Sequence, residues 1–202
     1  MRAILDHFAD AGIEYTIVDL AASGRSIYRP PVRFETWLND IGEIYERTQS
    51  GSSLWIATSI GAWPLLLTHR QRPEWFRAMC IIAPAIDWDS TYLLPGVASG
   101  KLTDEPAGIR NEHGVLPRSL VDSMALHHLL GRALEIHCPL HCIYGARDEI
   151  APPAATEQLL SQFRGASATS EKLADESHAI AKIATSAAQR ALMDWLQRQL
   201  HD

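Results

Sequence analysis

Three residues in this chain have the types and settings for nucleophilic catalysis: Ser59, Asp148 and His178. Ser59 ends the apolar run Leu54-Trp55-Ile56-Ala57-Thr58, with Ala57 two residues before it and Gly61 two after. A helical pattern begins at once through Ala62, Leu65, Leu66 and His69. Strand, sharp turn and helix with a serine on the turn is the setting that presents a hydroxyl at the edge of a parallel sheet. Small neighbours are expected there because strand and helix pack closely. Ala57 stands where the full G-x-S-x-G pattern has glycine, and a methyl group fits provided that its φ is negative. Asp148 follows the apolar segment Leu140–Tyr144 through the loop Gly145-Ala146-Arg147. His178 follows Lys172-Leu173 through Ala174-Asp175-Glu176-Ser177, at the start of a further helical stretch. A serine hydroxyl is a weak nucleophile until a base takes its proton; a histidine held by an acid supplies that base. Each residue alone has a plain reading, as a turn serine, a solvated acid and a polar helix start. Together, in this order and each after a strand, they predict one site. Asp148 is expected to be the orienting acid, with Asp175 shaping the turn before His178.

The elements that must position them alternate. A helix is expected over Met1–Ala11, with Ile4, Leu5 and Phe8 on one face and Gly12 as its stop. A strand is expected over Ile13–Leu20 and an amphipathic helix over Phe34–Thr48. The nucleophile strand is Ser52–Thr58, its helix Ala62–Arg70, and the next strand Arg77–Ala83. Helices follow at Pro153–Phe163 and, as one or two pieces, at Ala179–Leu200. Strands separated by helices imply a parallel sheet with right-handed crossovers. Residues 86–131 break the rhythm with Pro95, Gly96, Gly100, Pro106, Gly108, Gly114 and Pro117, then a helix around Arg118–Leu130. This insertion reads as a lid or an irregular excursion. Its residues Trp88, Tyr92, Leu93 and Leu94 either line an apolar acyl pocket over Ser59 or pack on the sheet edge. His127 and His128 read as helix-surface residues.

Four phrases carry a resemblance: Gly51 to Trp63 (GSSLWIATSIGAW), Ile81 to Trp88 (IIAPAIDW), Tyr144 to Pro152 (YGARDEIAP) and Asp175 to His178 (DESH). Over roughly Ala11 to the C-terminus the chain resembles small serine hydrolases of the α/β-hydrolase superfamily, most closely the group of the mitochondrial acyl-protein thioesterase and its bacterial relatives. The resemblance implies a three-layer α/β fold in one domain, 1–202, with a mostly parallel sheet flanked by helices. It implies hydrolysis of a small-molecule acyl ester or thioester by Ser59, His178 and Asp148, without a cofactor. The backbone N–H of Ile60 would be one oxyanion donor. In that family a glycine-rich loop D-Y-x-G-H-G-x-S follows the strand; here it reads Asp19-Leu20-Ala21-Ala22-Ser23-Gly24-Arg25-Ser26, with the first glycine and the histidine replaced. The second oxyanion donor normally comes after a strand preceding the first helix, and this chain begins at that helix. An N-terminally shortened sheet is therefore expected, with the Ile13–Leu20 strand either paired directly to the nucleophile strand or separated from it by a gap. The donor would come from residues lying upstream, from the Ala21–Ser26 loop, or not at all. In the last case the chain is a pseudo-hydrolase that binds a small ligand or a protein.

Composition excludes several other classes. The chain has 202 residues, 47% hydrophobic and 21% charged, as in one globular domain. A net charge of −6 without a basic run argues against nucleic acid. No apolar stretch reaches the ~20 residues of a membrane span. Asp19–Ser26 carries one glycine, and no G-x-G-x-x-G occurs, which disfavours a nucleotide-binding domain. His137-Cys138-Pro139-Leu140-His141-Cys142 lacks a paired C-x-x-C or a second Cys/His pair, so buried strand thiols are expected and no metal. An odd count of three cysteines, and an N-terminus with an early acid and no apolar run, suggest reduced thiols and a cytoplasmic setting.

Overall fold

The architecture follows from apolar strands that must be covered on both faces. The computed structural model describes residues 2–10, 12–21, 26, 31–48, 51, 53–111, 114–165, 167–183 and 186–201. Helix α1 (Arg2–Asp10) is followed by residues 13–20, which carry no regular structure, and later by α2 (Phe34–Thr48). Strand β1 (Ser53–Thr58) enters α3 (Ala62–Gln71) through the 3₁₀ turn Ser59–Gly61, and β2 (Phe76–Ile82) follows. The insertion then supplies α4 (Leu94–Ala98), strands β3 (Thr103–Glu105), β4 (Gly108–Asn111) and β5 (Gly114–Pro117), and α5 (Arg118–Met124). The chain closes with β6 (Leu134–Ile136), β7 (Leu140–Gly145), α6 (Pro153–Gln162), β8 (Phe163–Gly165), β9 (Ala168–Leu173) and α7 (Ser186–His201).

The main sheet is parallel, in the order β1-β2-β7-β9. Alternation along β2 sends Met79 and Ile81 into a core with α2, α3, α6 and the insertion. Ala78, Cys80 and Ile82 enter a second core with α1 and α7. Both faces are thus buried, and β2 and β7 read as continuous apolar runs for that reason. Three layers result. The thiols of Cys80, Cys138 and Cys142 are free and buried. Burial pushes the Cys138 thiol up to about 11 and raises the thiols of Cys80 and Cys142 as well. Among the described residues no cluster of three or more histidine, cysteine or acidic side chains is arranged to hold a metal, and no helix is long and apolar enough to cross a membrane.

Two expectations need correction. Residues 13–20 form no strand, although the alternation of Ile13, Tyr15, Ile17 and Leu20 suited one. A strand exists only through backbone pairing, and among the described residues β1 is the sheet edge; Tyr15 and Ile17 are about half exposed. Among the described residues no other strand lies beside β1 on that edge. The insertion, in turn, carries regular structure among its described residues: β3, β4 and β5 make their own antiparallel sheet, and the expected Arg118–Leu130 helix is α5 plus the 3₁₀ turn Ala125–His127. Of the glycine-rich loop, residues 22–25 lie outside the described residues, as do Met1, Ala11 and Ser52 at the ends of expected elements.

Candidate active site

Loops leaving the carboxyl ends of neighbouring parallel strands converge, and here β1, β7 and β9 each deliver one residue. Ser59 leaves β1 with φ 52°, a left-handed conformation rarely adopted by non-glycine residues and held by the strand before it and the helix after it. Its carbonyl accepts the N–H of Ala85 from the loop after β2. Ala57 does not take a positive φ; it sits in β1 opposite Ile81, so its methyl group is accommodated. The strain falls on the serine itself. Gly61 adopts φ −64°, and a Cβ there would meet nothing within 4 Å, so the pattern's second glycine is not a steric requirement in this chain. The close approach lies elsewhere. A Cβ on Gly145 would stand 2.3 Å from the carbonyl oxygen of Glu176, so this glycine lets the Asp148 loop lie against the His178 loop. Arg147 N–H donates to the same carbonyl at 2.9 Å.

The three side chains form a continuous hydrogen-bonded chain. Ser59 Oγ lies 2.8 Å from His178 Nε2, and His178 Nδ1 lies 2.8 Å from Asp148 Oδ2. The other carboxylate oxygen, Asp148 Oδ1, accepts the backbone N–H groups of Ile150 and Ala151 at 2.9 and 2.8 Å. A carboxylate can only accept, so His178 Nδ1 carries the proton and Nε2 offers its lone pair to the Ser59 hydroxyl. The Asp148 side chain is 1% exposed and that of His178 19%, which buries the acid and leaves the imidazole at the mouth of the site. Asp175 instead makes a solvent-exposed pair with Arg147 at 2.7 Å.

The remaining predicted residues are placed differently. Leu93 is fully enclosed in the main core and presents no surface to a ligand, whereas Leu94 is 54% exposed; adjacent residues of a helical turn point in different directions. Trp88 and Tyr92 stack at 5.3 Å and pack half-buried on that core. The Trp88 indole N–H donates to the Ile150 carbonyl at 3.0 Å. Two surface clefts of about 320 and 370 Å³ adjoin the C-terminal part of α3, and neither is lined by Ser59, Asp148 or His178. Ala21 gives its N–H to Asp40 Oδ2 at 2.9 Å, so that amide is committed and not free for an oxyanion. His127 and His128 are not merely surface residues. His127 stacks on Phe34 and meets Glu35 at 2.8 Å, while His128 meets Asp89 at 2.8 Å. Asp87, passed over in the sequence, accepts the N–H groups of Leu129 and Leu130 at 2.8 and 2.9 Å and so closes the base of the insertion. Burial raises its pKa against those bonds. An acid just past the buried strand β2 was the available signal.

No family model matches the sequence. Among solved structures, the alpha/beta hydrolase domain-containing protein 10 from mouse superposes with a TM-score of 0.80 at 18% identity, covering 98% of this chain and 82% of that one. This protein has the α/β-hydrolase fold. A structure from the metagenome-derived lipolytic enzymes LipS and LipT shares the α/β-hydrolase fold at a TM-score of 0.74 and 18% identity, covering 100% of this chain and 88% of that one. In sequence, the chain is 27% identical over 124 residues to the rat mitochondrial palmitoyl-protein thioesterase ABHD10, an alignment covering 57% of this chain and 42% of the relative. The chain thus matches less than half the length of the curated relatives with which it shares the α/β-hydrolase fold.

Proposed function

We propose that the protein is a serine hydrolase that cleaves carboxylic ester or thioester bonds through an acyl-enzyme on Ser59. The observation that carries this reading is the unbroken chain from Ser59 Oγ through His178 to Asp148, at 2.8 Å for each link. Ser59 Oγ attacks the acyl carbon as its proton passes to His178 Nε2. The imidazolium is stabilised by Asp148 and then protonates the departing alkoxide or thiolate. Water, deprotonated by His178, releases the acid and restores the serine. The Ile60 N–H, at the start of the turn into α3, is one oxyanion donor, favoured by the helix N-terminus behind it. Removing one donor from such a site costs about 10²–10³ in rate, which is the weight the Ile60 N–H would carry.

Trp88, whose indole N–H reaches the acid loop, stacks half-exposed on Tyr92, and Leu94 nearby in the chain is exposed; this apolar surface is suited to an acyl chain. The thioesterase relatives support an acyl thioester as substrate. The test is initial rate against p-nitrophenyl esters of increasing acyl length and against acyl thioesters, with Ser59→Ala as the blank. Turnover lost in the blank is expected, with a broad chain-length profile, because an apolar pocket discriminates by only about 1–3 kcal/mol per methylene. Equal rates for wild type and Ser59→Ala would leave a binding protein as the better reading.

A further inference from the structure

We propose that Trp88 is a positioning residue for Asp148: through its indole N–H, the base of the insertion holds the loop that carries the acid. This inference rests on the roles proposed above for Ser59, His178 and Asp148. The Trp88 Nε1–H donates to the Ile150 carbonyl at 3.0 Å, and the N–H of the same Ile150 donates to Asp148 Oδ1 at 2.9 Å. One residue therefore receives the tether on one side of its backbone and orients the carboxylate on the other. Before Asp148 the loop is tied by Ala146 N–H to the Leu173 carbonyl and by Arg147 N–H to the Glu176 carbonyl. After it, Trp88 supplies the tie. The Lys101–Glu149 contact nearby spans 3.8 Å between well-exposed side chains and adds little.

Trp88 is itself fixed. Its ring lies 4° from parallel to Tyr92, and its backbone is flanked by Asp87, bonded to the Leu129 and Leu130 amides, and by Asp89, bonded to His128. Both chain ends of the insertion are thereby locked together, and Trp88 projects from that lock onto the acid loop. If the tether is cut, Ile150 is free to shift, the Oδ1 contacts loosen and Oδ2 no longer meets His178 Nδ1 squarely. The base then loses stabilisation of its charged form, without loss of the surface that contacts an acyl chain.

The test replaces Trp88 by phenylalanine, which keeps an aromatic ring for the stack and removes the N–H. A benzothienylalanine at position 88, with sulfur in place of the N–H and the indole shape retained, guards against misfolding. The His178 ring is followed by NMR titration, assigned by comparison with His178→Gln, and kcat and KM are measured for a short acyl ester. The expected result in both variants is a His178 titration midpoint moved to lower pH and the acid limb of kcat/KM moved with it. kcat should fall by about 3- to 10-fold in both, the scale of one hydrogen bond, with KM unchanged in the benzothienylalanine protein, whose ring keeps the apolar area of the indole. A midpoint and kcat equal to wild type in the benzothienylalanine protein would overturn the proposal, as would a rise in KM alone. If wild type turns over no ester but the midpoint still moves, Trp88 positions Asp148 and it is the hydrolase reading that fails.

Discussion

Replacing Asp148 by asparagine should disable the site through a tautomer that the surrounding hydrogen bonds force. Asp148 Oδ1 faces two backbone donors, Ile150 and Ala151 N–H, at 2.9 and 2.8 Å. An amide NH₂ placed there would point hydrogens at hydrogens, so asparagine must set its carbonyl oxygen on this side. Its NH₂ then replaces Oδ2, 2.8 Å from His178 Nδ1. A donor at that position demands an acceptor, so Nδ1 gives up its proton and Nε2 gains one. The Nε2–H so formed faces Ser59 Oγ at 2.8 Å and cannot take the hydroxyl proton. The expected loss is about 10⁴ in kcat, equivalent to about 5 kcal/mol of transition-state stabilisation, with KM little changed. Shape and volume are conserved, so the fold should survive. The assay is steady-state hydrolysis of a short p-nitrophenyl ester, with Asp175→Asn alongside. Asp175 is 84% exposed in its pair with Arg147, so Asp175→Asn should stay within a few-fold of wild type. Asp148→Asn retaining more than about a tenth of wild-type kcat, or Asp175→Asn losing more than Asp148→Asn, would refute the assignment of the acid.

The two glycines of the site should behave oppositely. Gly61→Ala has open space and an α-helical φ, and should keep activity while adding about 0.4–1 kcal/mol to unfolding stability by urea titration. Gly145→Ala would force a methyl group 2.3 Å from the Glu176 carbonyl, costing about 1–3 kcal/mol and some 2–12 °C in Tm, with loss of activity as the two loops part. Burial first, and the His137 charge second, hold the enclosed His69 down to about 4 from its ordinary 6.5. The unfolded chain therefore binds the proton more readily between those values. Stability is full above pH 6.5 and falls as pH drops toward 4, by roughly 3 kcal/mol at most. Urea midpoints against pH should show a smaller acid loss in His69→Gln, which keeps an acceptor for the His137 N–H.

The three site residues were legible because a parallel sheet sends successive strand-end loops to one edge, so chain order and strand context suffice to bring Ser59, Asp148 and His178 together. The layers were legible from the continuous apolar runs of β2 and β7 and the amphipathic α2. Partnerships across long separations were not. Glu35 meets His127 and Asp89 meets His128 across 92 and 39 residues, and no local pattern announces either pair. The alternation over residues 13–20 looked like a strand because side-chain period is local, whereas a strand needs a neighbouring backbone. Gly61 drew attention as part of a motif, while the glycine that permits a close approach, Gly145, was visible only once Glu176 lay beside it. Trp88 was read for its apolar area; its contact with Ile150 depends on one N–H and a loop 62 residues away.

The most direct measurement of the central claim is covalent labelling by a fluorophosphonate probe, followed by intact mass and peptide mapping. The probe reacts only with a serine activated by its base, and needs neither the right acyl chain nor the right leaving group. One adduct per chain on Ser59 is expected, abolished in Ser59→Ala and strongly slowed in His178→Gln. A folded protein that takes no label at Ser59, or labels equally without His178, would contradict the account.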